Sequence, residues 1–312
     1  MNNNELKEMA PGVYGLTLAE KEMATLTFSE GGMLVNVNEN NYYPLAFQQL
    51  KKIVIEGASE GVTYAPGHNM DEIHEVLSAL GIFQGVCVDI GAHNGVTYSN
   101  TYPLFRSGWS GLLVECDRSR FATLSHLYRF FDEAALACSF VTPENVVSLL
   151  KGFSIPEKFD FLSLDIDCYD YFVLEALLQH YRPTLMTVEV NEVIPPPLKF
   201  AVYYDPSFQL NFKDRFYGQS LAQLQLLCER FDYHILSMRY MDVLLIDKAY
   251  TEGEPMDLEA IYQKGFKDRP MPNYYKDYPF DVAALQSASP EEALEMVKTG
   301  YAHHAGKFSL TL

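Results

Sequence analysis

The chain is poor in positive charge. Of its 312 residues, 23 are Lys or Arg against 41 Asp or Glu, which gives a net charge of −18. A nucleic-acid backbone is bound through a positive footprint, so nucleic acid is not an expected partner, and an anionic membrane surface is disfavoured for the same reason. No apolar run approaches the roughly 20 residues of a membrane span. The first residues, Met1 to Glu8, lack the basic-then-apolar pattern of a signal peptide. Cysteine is sparse and odd in number: Cys87, Cys116, Cys138, Cys168 and Cys228. No C-x-x-C is present, which removes the usual zinc and redox motifs. The five are expected to be reduced core thiols of a cytoplasmic protein. Two phosphate signatures are also missing, G-x-G-x-x-G and G-x-x-x-x-G-K-[ST]. Their absence places an NAD-linked dehydrogenase far behind other readings. The single tryptophan, Trp109, is expected in the core.

What the chain does have is a 48% hydrophobic content, enough for a globular fold. It also has two apolar runs that end in acidic or glycine residues. Val86 to Ile90 leads into a turn with Asp89, Gly91, His93, Asn94 and Gly95. Gly111 to Val114 leads to Glu115, Cys116 and Asp117. This reads as a buried parallel strand, a glycine turn, a helix and a second strand with a carboxylate at its tip. Ligands of open α/β sheets bind outside the carboxyl ends of strands. Glu115 is placed to accept hydrogen bonds from ribose hydroxyls, and Asp89 suits a cation or amino group better than a pyrophosphate. S-adenosylmethionine carries a sulfonium, an α-amino group and a ribose, and no phosphate. At these residues the chain resembles the class I S-adenosylmethionine-dependent methyltransferases. Asp89, Gly91, His93, Asn94, Gly95, Glu115 and Cys116 are then expected at the cofactor, with Val141 to Asn145, including Glu144 and Asn145, along the adenine.

Three segments are expected. Residues 1–80 read as an N-terminal helical or mixed lobe, turn-rich over Asn36 to Tyr43 and closing on a helix over Asp71 to Leu80. Residues 81–250 read as the cofactor-binding domain. Strands over 86–90, 111–115, 136–141, 159–165 and 185–190 alternate with helices over 96–106, 118–130, 143–150 and 169–180. Tyr233 to Tyr240 and Asp242 to Asp247 are separated by Met241 alone, so they must pair antiparallel. The fold class is therefore α/β, a Rossmann-like doubly wound, mostly parallel sheet ending in an antiparallel hairpin. Residues 251–312 form a C-terminal extension without strand patterning. One helix there is capped by Ser289, with Pro290 at its first position and Gly300 after its end.

Two acidic clusters sit where strands four and five end. One is Asp165, Asp167, Cys168, Tyr169 and Asp170; the other is Glu189, Asn191 and Glu192. Adjacent strand ends are expected to bring them onto one rim. Three readings stand open. Asp165, Glu189 and Asn191 hold Mg²⁺, which prefers hard oxygen ligands and would acidify a substrate hydroxyl. Alternatively, Asp165 or Asp167 binds the methionine amino group while Glu189 and Asn191 fix the substrate. In the third reading the acids are structural, with Asp167 capping the following helix. The metal reading is similar to the divalent-metal-dependent O-methyltransferases, although Cys168 stands where those enzymes carry a lysine. The order of the motifs around Asp165, Glu189 and Tyr217 resembles the FkbM-type methyltransferases over roughly residues 85–247.

His93, in the glycine turn, is a general-base candidate beside Asp165, with a backbone-bonded loop histidine as its structural counterpart. His303 and His304 read as solvated. The loop from Ile194 to Tyr217 is rich in aromatics, among them Phe208 and Phe212. Tyr203, Tyr204, Tyr217 and Tyr169 are candidates to line a substrate pocket, or else a satellite hydrophobic cluster. The expected function is methylation of a small-molecule hydroxyl of natural-product or sugar type. A peptide or protein methyltransferase, or a non-catalytic interaction protein of the same fold, are the alternatives. The partner is then a small-molecule acceptor, and a homo-oligomer is compatible with the sequence.

Overall fold

The computed structural model describes residues 70–207, 214–252, 256–270 and 273–312, together with the backbone of four N-terminal strands. Much of the expected N-terminal lobe, including residues 38–43, lies outside the described residues, as do Phe208 and Phe212. The chain forms two compact units, one of residues 1–70 and 87–140, the other of 71–86 and 141–312.

The first unit opens with β1 (Asn4–Ala10), β2 (Val13–Leu18), β3 (Lys21–Ser29) and β4 (Gly32–Val37). They pair in sequence order as an antiparallel meander. Among the described residues, the helix expected at the end of this lobe is α1 (Met70–Ala79), nearly all of which belongs to the second unit. The Thr25-Leu26-Thr27-Phe28 alternation has the strand period of two. The unit continues with β5 (Val86–Ile90), α2 (Tyr102–Arg106), β6 (Ser110–Glu115), α3 (Arg118–Tyr128) and β7 (Ala134–Cys138). β6 is buried on both faces after its first residue, as a parallel strand covered on each side must be. Gly111 is obligatory there: a Cβ would lie 1.7 Å from the Cys87 carbonyl oxygen. The helix expected over 96–106 occupies only its last turn and a half. Asn94 Oδ1 accepts from the backbone N–H groups of Val96 and Thr97, and Tyr98 is left-handed, so side-chain bonds replace helical ones.

The second unit carries α4 (Val146–Gly152), β8 (Lys158–Leu164), α5 (Asp170–Leu178), β9 (Arg182–Glu189) and β10 (Lys199–Val202). After these come α6 (Leu221–Phe231), β11 (Tyr233–Arg239) and β12 (Asp242–Asp247), then α7 (Leu258–Tyr262), α8 (Val282–Leu285), α9 (Pro290–Gly300) and β13 (Phe308–Thr311). α6 starts on Ser220, which accepts from Gln223 N–H, and stops at left-handed Asp232. α9 begins in the expected place with a full capping box between Ser289 and Glu292. β13 corrects the expectation of no strand after residue 250: Phe308–Thr311 pairs antiparallel with β10. Four residues are too short a run to show a period, and the partner lies about a hundred residues upstream.

The seven-strand sheet has the order β11-β12-β9-β8-β5-β6-β7. β8 and β9 pair in parallel, as do β6 and β7, while β12 is antiparallel to both β9 and β11. This is the expected α/β class: Rossmann-like, mostly parallel, ending in an antiparallel hairpin. In the second unit the core is built from Phe161 and Leu162 of β8, Leu185 and Met186 of β9, and Val243 to Leu245 of β12, all at most 1% exposed. Trp109 is buried as expected. The cysteines are all free, but Cys116 and Cys138 are exposed, so only three of the five are core thiols. Both lie where their strands end, at the last residue or just past it, which releases their side chains from the core. Among the described residues no helix is long and apolar enough to cross a membrane.

Candidate functional site

In the first unit, the end of β5 turns sharply. Gly91, His93 and Gly95 all take positive φ, at 93°, 53° and 77°. The N–H groups of Gly91 and Ala92 both reach the Val114 carbonyl of β6. Gly95 also packs closely: a Cβ there would sit 2.4 Å from the Leu124 and Tyr128 side chains, and the Tyr128 hydroxyl donates to the Gly95 carbonyl at 2.7 Å. The carboxylate of Glu115, at the tip of β6, accepts from His93 N–H at 2.8 Å and from Asp117 N–H at 2.6 Å. Asp117 in turn caps α3 by accepting from Arg120 N–H. One buried carboxylate thus ties the glycine turn to the start of the next helix.

Most of the residues expected at a cofactor do internal work here. Asp89 is 4% exposed and accepts from the Thr101 hydroxyl at 2.5 Å. That hydroxyl takes the place of the cation or amino group expected at Asp89. Asn94 is buried and holds the backbone of Val96 and Thr97. His93 is half-buried, and its Nδ1 has no hydrogen-bond partner. Burial, then the nearby Arg120 charge, lowers its pKa, so the imidazole is neutral at pH 7. Cys116 is exposed beside Glu115, and its thiol pKa is raised by burial of the sulfur and by that carboxylate.

The second unit gathers carboxylates at the ends of β8 and β9. The antiparallel register sets Asp242, the first residue of β12, opposite Glu189, the last of β9. Ligand oxygens of Asp165, Asp170 and Glu189 lie within 4.8 Å of one another. Asp165 and Glu189 stand close enough that a proton shared between the two carboxyls would relieve their repulsion. Asp165 keeps exposed surface although protein surrounds its carboxyl; that crowding, then the charges of Asp167, Asp170 and Asp242, push its pKa well up. Glu189 is buried and pushed up by desolvation and by the Asp165 charge, and its Oε2 has no hydrogen-bond partner. Burial raises Asp170 to about 7 against the opposing backbone N–H groups of Ile166 and Cys168. Asp242 is raised well above its usual range by burial, then by Glu192.

Several expected roles change. Asp167 is left-handed at φ 57°, and Asp170 accepts from Ile166 N–H and Cys168 N–H. The cap on this loop therefore comes from the first residue of the helix. Asn191 is fully buried, donates to the Arg215 and Tyr217 carbonyls, and accepts from the Tyr278 hydroxyl. Its amide is engaged on both ends. Tyr169 is fully buried, donates to the Val141 carbonyl and packs edge-on to Tyr204 at 4.8 Å. Tyr217 is buried and donates to Glu192 at 3.0 Å. Both belong to the core rather than to a pocket wall. Tyr203 is 43% exposed. Tyr204 donates to Glu144 at 2.6 Å, tying the aromatic loop to the segment around Asn145, whose Oδ1 accepts from Thr142 N–H.

In sequence, Gln219 and Asp242 carry no assigned role, and Asp170 is expected only as a member of the strand-four acidic cluster. Gln219 is fully buried, donates to the Glu189 carbonyl at 2.8 Å and leaves its Oε1 without a partner. Only the strand register points to Asp242, and nothing local points to Gln219.

For a hard cation the fit is partial. Asp165 and Glu189 offer oxygen donors, and Glu189 Oε2 is free to coordinate. Both Asp170 oxygens already accept backbone N–H groups, and Asn191 is engaged elsewhere.

No protein-family profile matches the chain, and no curated protein matches it in sequence. Among solved structures, it is similar to an S-adenosylmethionine-dependent methyltransferase from Clostridium acetobutylicum, at 14% identity and a TM-score of 0.37, over 65% of this chain and 98% of that one. An O-methyltransferase from Bacillus cereus in complex with S-adenosylhomocysteine is similar at 15% identity and a TM-score of 0.36, over 65% and 90%. TrmK of M. capricolum with S-adenosylhomocysteine is similar at 11% identity and a TM-score of 0.40, over 73% and 93%.

Proposed function

We propose that this chain is an S-adenosylmethionine-dependent methyltransferase acting on a hydroxyl of a small molecule. The observation that carries the reading is the glycine turn after β5 latched by Glu115 at the tip of β6. It is a glycine turn at a strand end, with a carboxylate at the tip of the next strand and without the phosphate-binding glycine signatures. Glu115 uses two of the roughly four acceptor positions of a carboxylate on backbone N–H groups, which leaves capacity for ribose hydroxyls. The cofactor supplies an electrophilic methyl group on a sulfonium. The chain's own residues hold the turn rigid; taken by itself, the Asp165–Glu189 pair of the second unit is a candidate proton acceptor. A carboxylate pair with one shared proton and raised pKa values is a competent base near neutral pH. Held at the glycine turn and Glu115, S-adenosylmethionine would supply the methyl group, and the acceptor hydroxyl would give its proton to a carboxylate. Positioning and exclusion of water supply the rest of the rate.

A second reading adds Mg²⁺ at Asp165 and Glu189, favoured by the unpartnered Glu189 Oε2. Methyl-labelled cofactor incubated with a size-filtered cell extract tests the proposal. Label in the small-molecule fraction, lost in Glu189→Gln, is the expected result. Label appearing only in polypeptide would move the acceptor to a peptide or protein. Bound cofactor with no label transferred would make the chain a non-catalytic binder.

A further inference from the structure

Away from the strand tips, the second unit brings together Asp214, His303 and His304. His303 and His304 lie on the short turn Ala302–His304 after α9, and Asp214 lies about ninety residues earlier. Both imidazoles aim Nε2 at the same oxygen, Asp214 Oδ2, at 2.9 and 2.7 Å. The three ligand atoms lie within 4.8 Å of one another. The sequence alone suggested solvated histidines, but the His304 side chain is only 17% exposed and the Asp214 side chain 13%. His304 is held as a flat plate on Phe216, with centroids 3.8 Å apart and planes 10° from parallel. The Tyr301 hydroxyl donates to the Arg215 carbonyl at 2.7 Å, pinning the two strands of chain that carry the ligands. Asp214 Oδ1 is buried without a hydrogen-bond partner.

We propose that Asp214, His303 and His304 bind a divalent transition metal of the zinc class. Two imidazoles and one carboxylate are a zinc-type donor set, whereas an all-oxygen cluster suits Mg²⁺. With metal–ligand bonds of about 2.0–2.1 Å, the ligand atoms of a tetrahedral site stand roughly 3.3 Å apart. The two distances from Asp214 Oδ2 to the imidazole nitrogens, 2.9 and 2.7 Å, fall about half an ångström short of that. The unpartnered Asp214 oxygen supplies coordinating capacity that the histidines leave unused. His303 is 55% exposed, so the fourth position is open to water. The metal would clamp the chain around Asp214 to the C-terminal segment and would stabilise the folded form through its preference for it. This proposal does not depend on the methyltransferase reading.

The test is titration of chelator-stripped, untagged protein with Zn²⁺ by calorimetry and with Co²⁺ by visible absorption, followed by thermal melts. Expected are one ion per chain at micromolar affinity or tighter, a raised melting temperature, and a tetrahedral Co²⁺ spectrum without thiolate charge transfer. Asp214→Asn and the exposed His303→Gln should each weaken binding at least about tenfold, with unchanged circular dichroism. Asp165→Asn should bind Zn²⁺ like the parent. Absence of Zn²⁺ and Co²⁺ binding, undiminished affinity in both variants, or a cysteine-type Co²⁺ spectrum would overturn the proposal.

Discussion

Glu115→Gln removes one acceptor from a buried latch while leaving the side chain's shape almost unchanged. In the parent the carboxylate accepts from His93 N–H at 2.8 Å and Asp117 N–H at 2.6 Å, and Glu115 is 4% exposed. The amide oxygen of Gln can satisfy one of these; its NH₂ must then face the other N–H. Losing a charge-assisted hydrogen bond costs about 1.5–3 kcal/mol, and a stranded buried donor costs a further 1–3 kcal/mol or so. Part of the second cost is relieved by rotation towards solvent, so the expected destabilisation is about 3 kcal/mol. It would be read from urea unfolding of parent and variant. Because the same latch fixes the glycine turn, affinity for S-adenosylmethionine should fall alongside stability. A variant within about 0.5 kcal/mol of the parent behaves like an unremarkable surface change, and would refute the latch.

Three further outcomes follow from the same geometry. Arg182 donates to both Asp247 oxygens at 2.6 Å and to the Phe231 carbonyl at 2.8 Å, so Arg182→Ala leaves the buried Asp247 carboxylate unpaired. It should cost roughly 2–4 kcal/mol, somewhat less than a fully buried pair because Arg182 is 36% exposed, and denaturant unfolding would show it. Asp170 holds its proton up to about pH 7 in the folded chain but has an ordinary carboxyl pKa when unfolded. The folded state therefore binds more protons between these values, and stability should decline by about 1.4 kcal/mol per pH unit as pH rises towards 7, a trend that thermal melts across pH would follow and that a flat profile would contradict. Gly95→Ala places a Cβ 2.4 Å from Leu124 and Tyr128 at a positive φ, and should lose about 2–4 kcal/mol with weakened cofactor binding, measured by melts and calorimetry.

The strands of the seven-strand sheet were legible in the sequence as apolar runs, whereas β1–β4, β10 and β13 were not. Val86–Ile90, Ser110–Glu115 and the hairpin around Met241 fall within one or two residues of their expected places. The hairpin was forced by arithmetic, since one residue cannot make a parallel crossover. Side-chain bonding was not legible. Asn94 diverts the segment after the glycine turn from helix to turn, and Asp170 gathers the N–H groups of Ile166 and Cys168. Both outcomes depend on backbone angles that neighbouring residue types leave open. Long-range meetings were also hidden. β10 finds β13, and Asp214 finds His303 and His304, across about a hundred residues of chain. At the strand tips, Asp165 and Glu189 come together as their strand-end positions suggest, but the engagement of Asn191 with the Arg215 and Tyr217 carbonyls, and the placing of Gln219 and Asp242 beside Glu189, were not legible.

The most direct measurement is a calorimetric titration of the purified chain with S-adenosylmethionine and S-adenosylhomocysteine, each with and without Mg²⁺. Micromolar binding of both, weakened in Glu115→Gln, is the predicted result. No heat of binding with either ligand under either condition would contradict the assignment of the glycine turn and Glu115 to this cofactor.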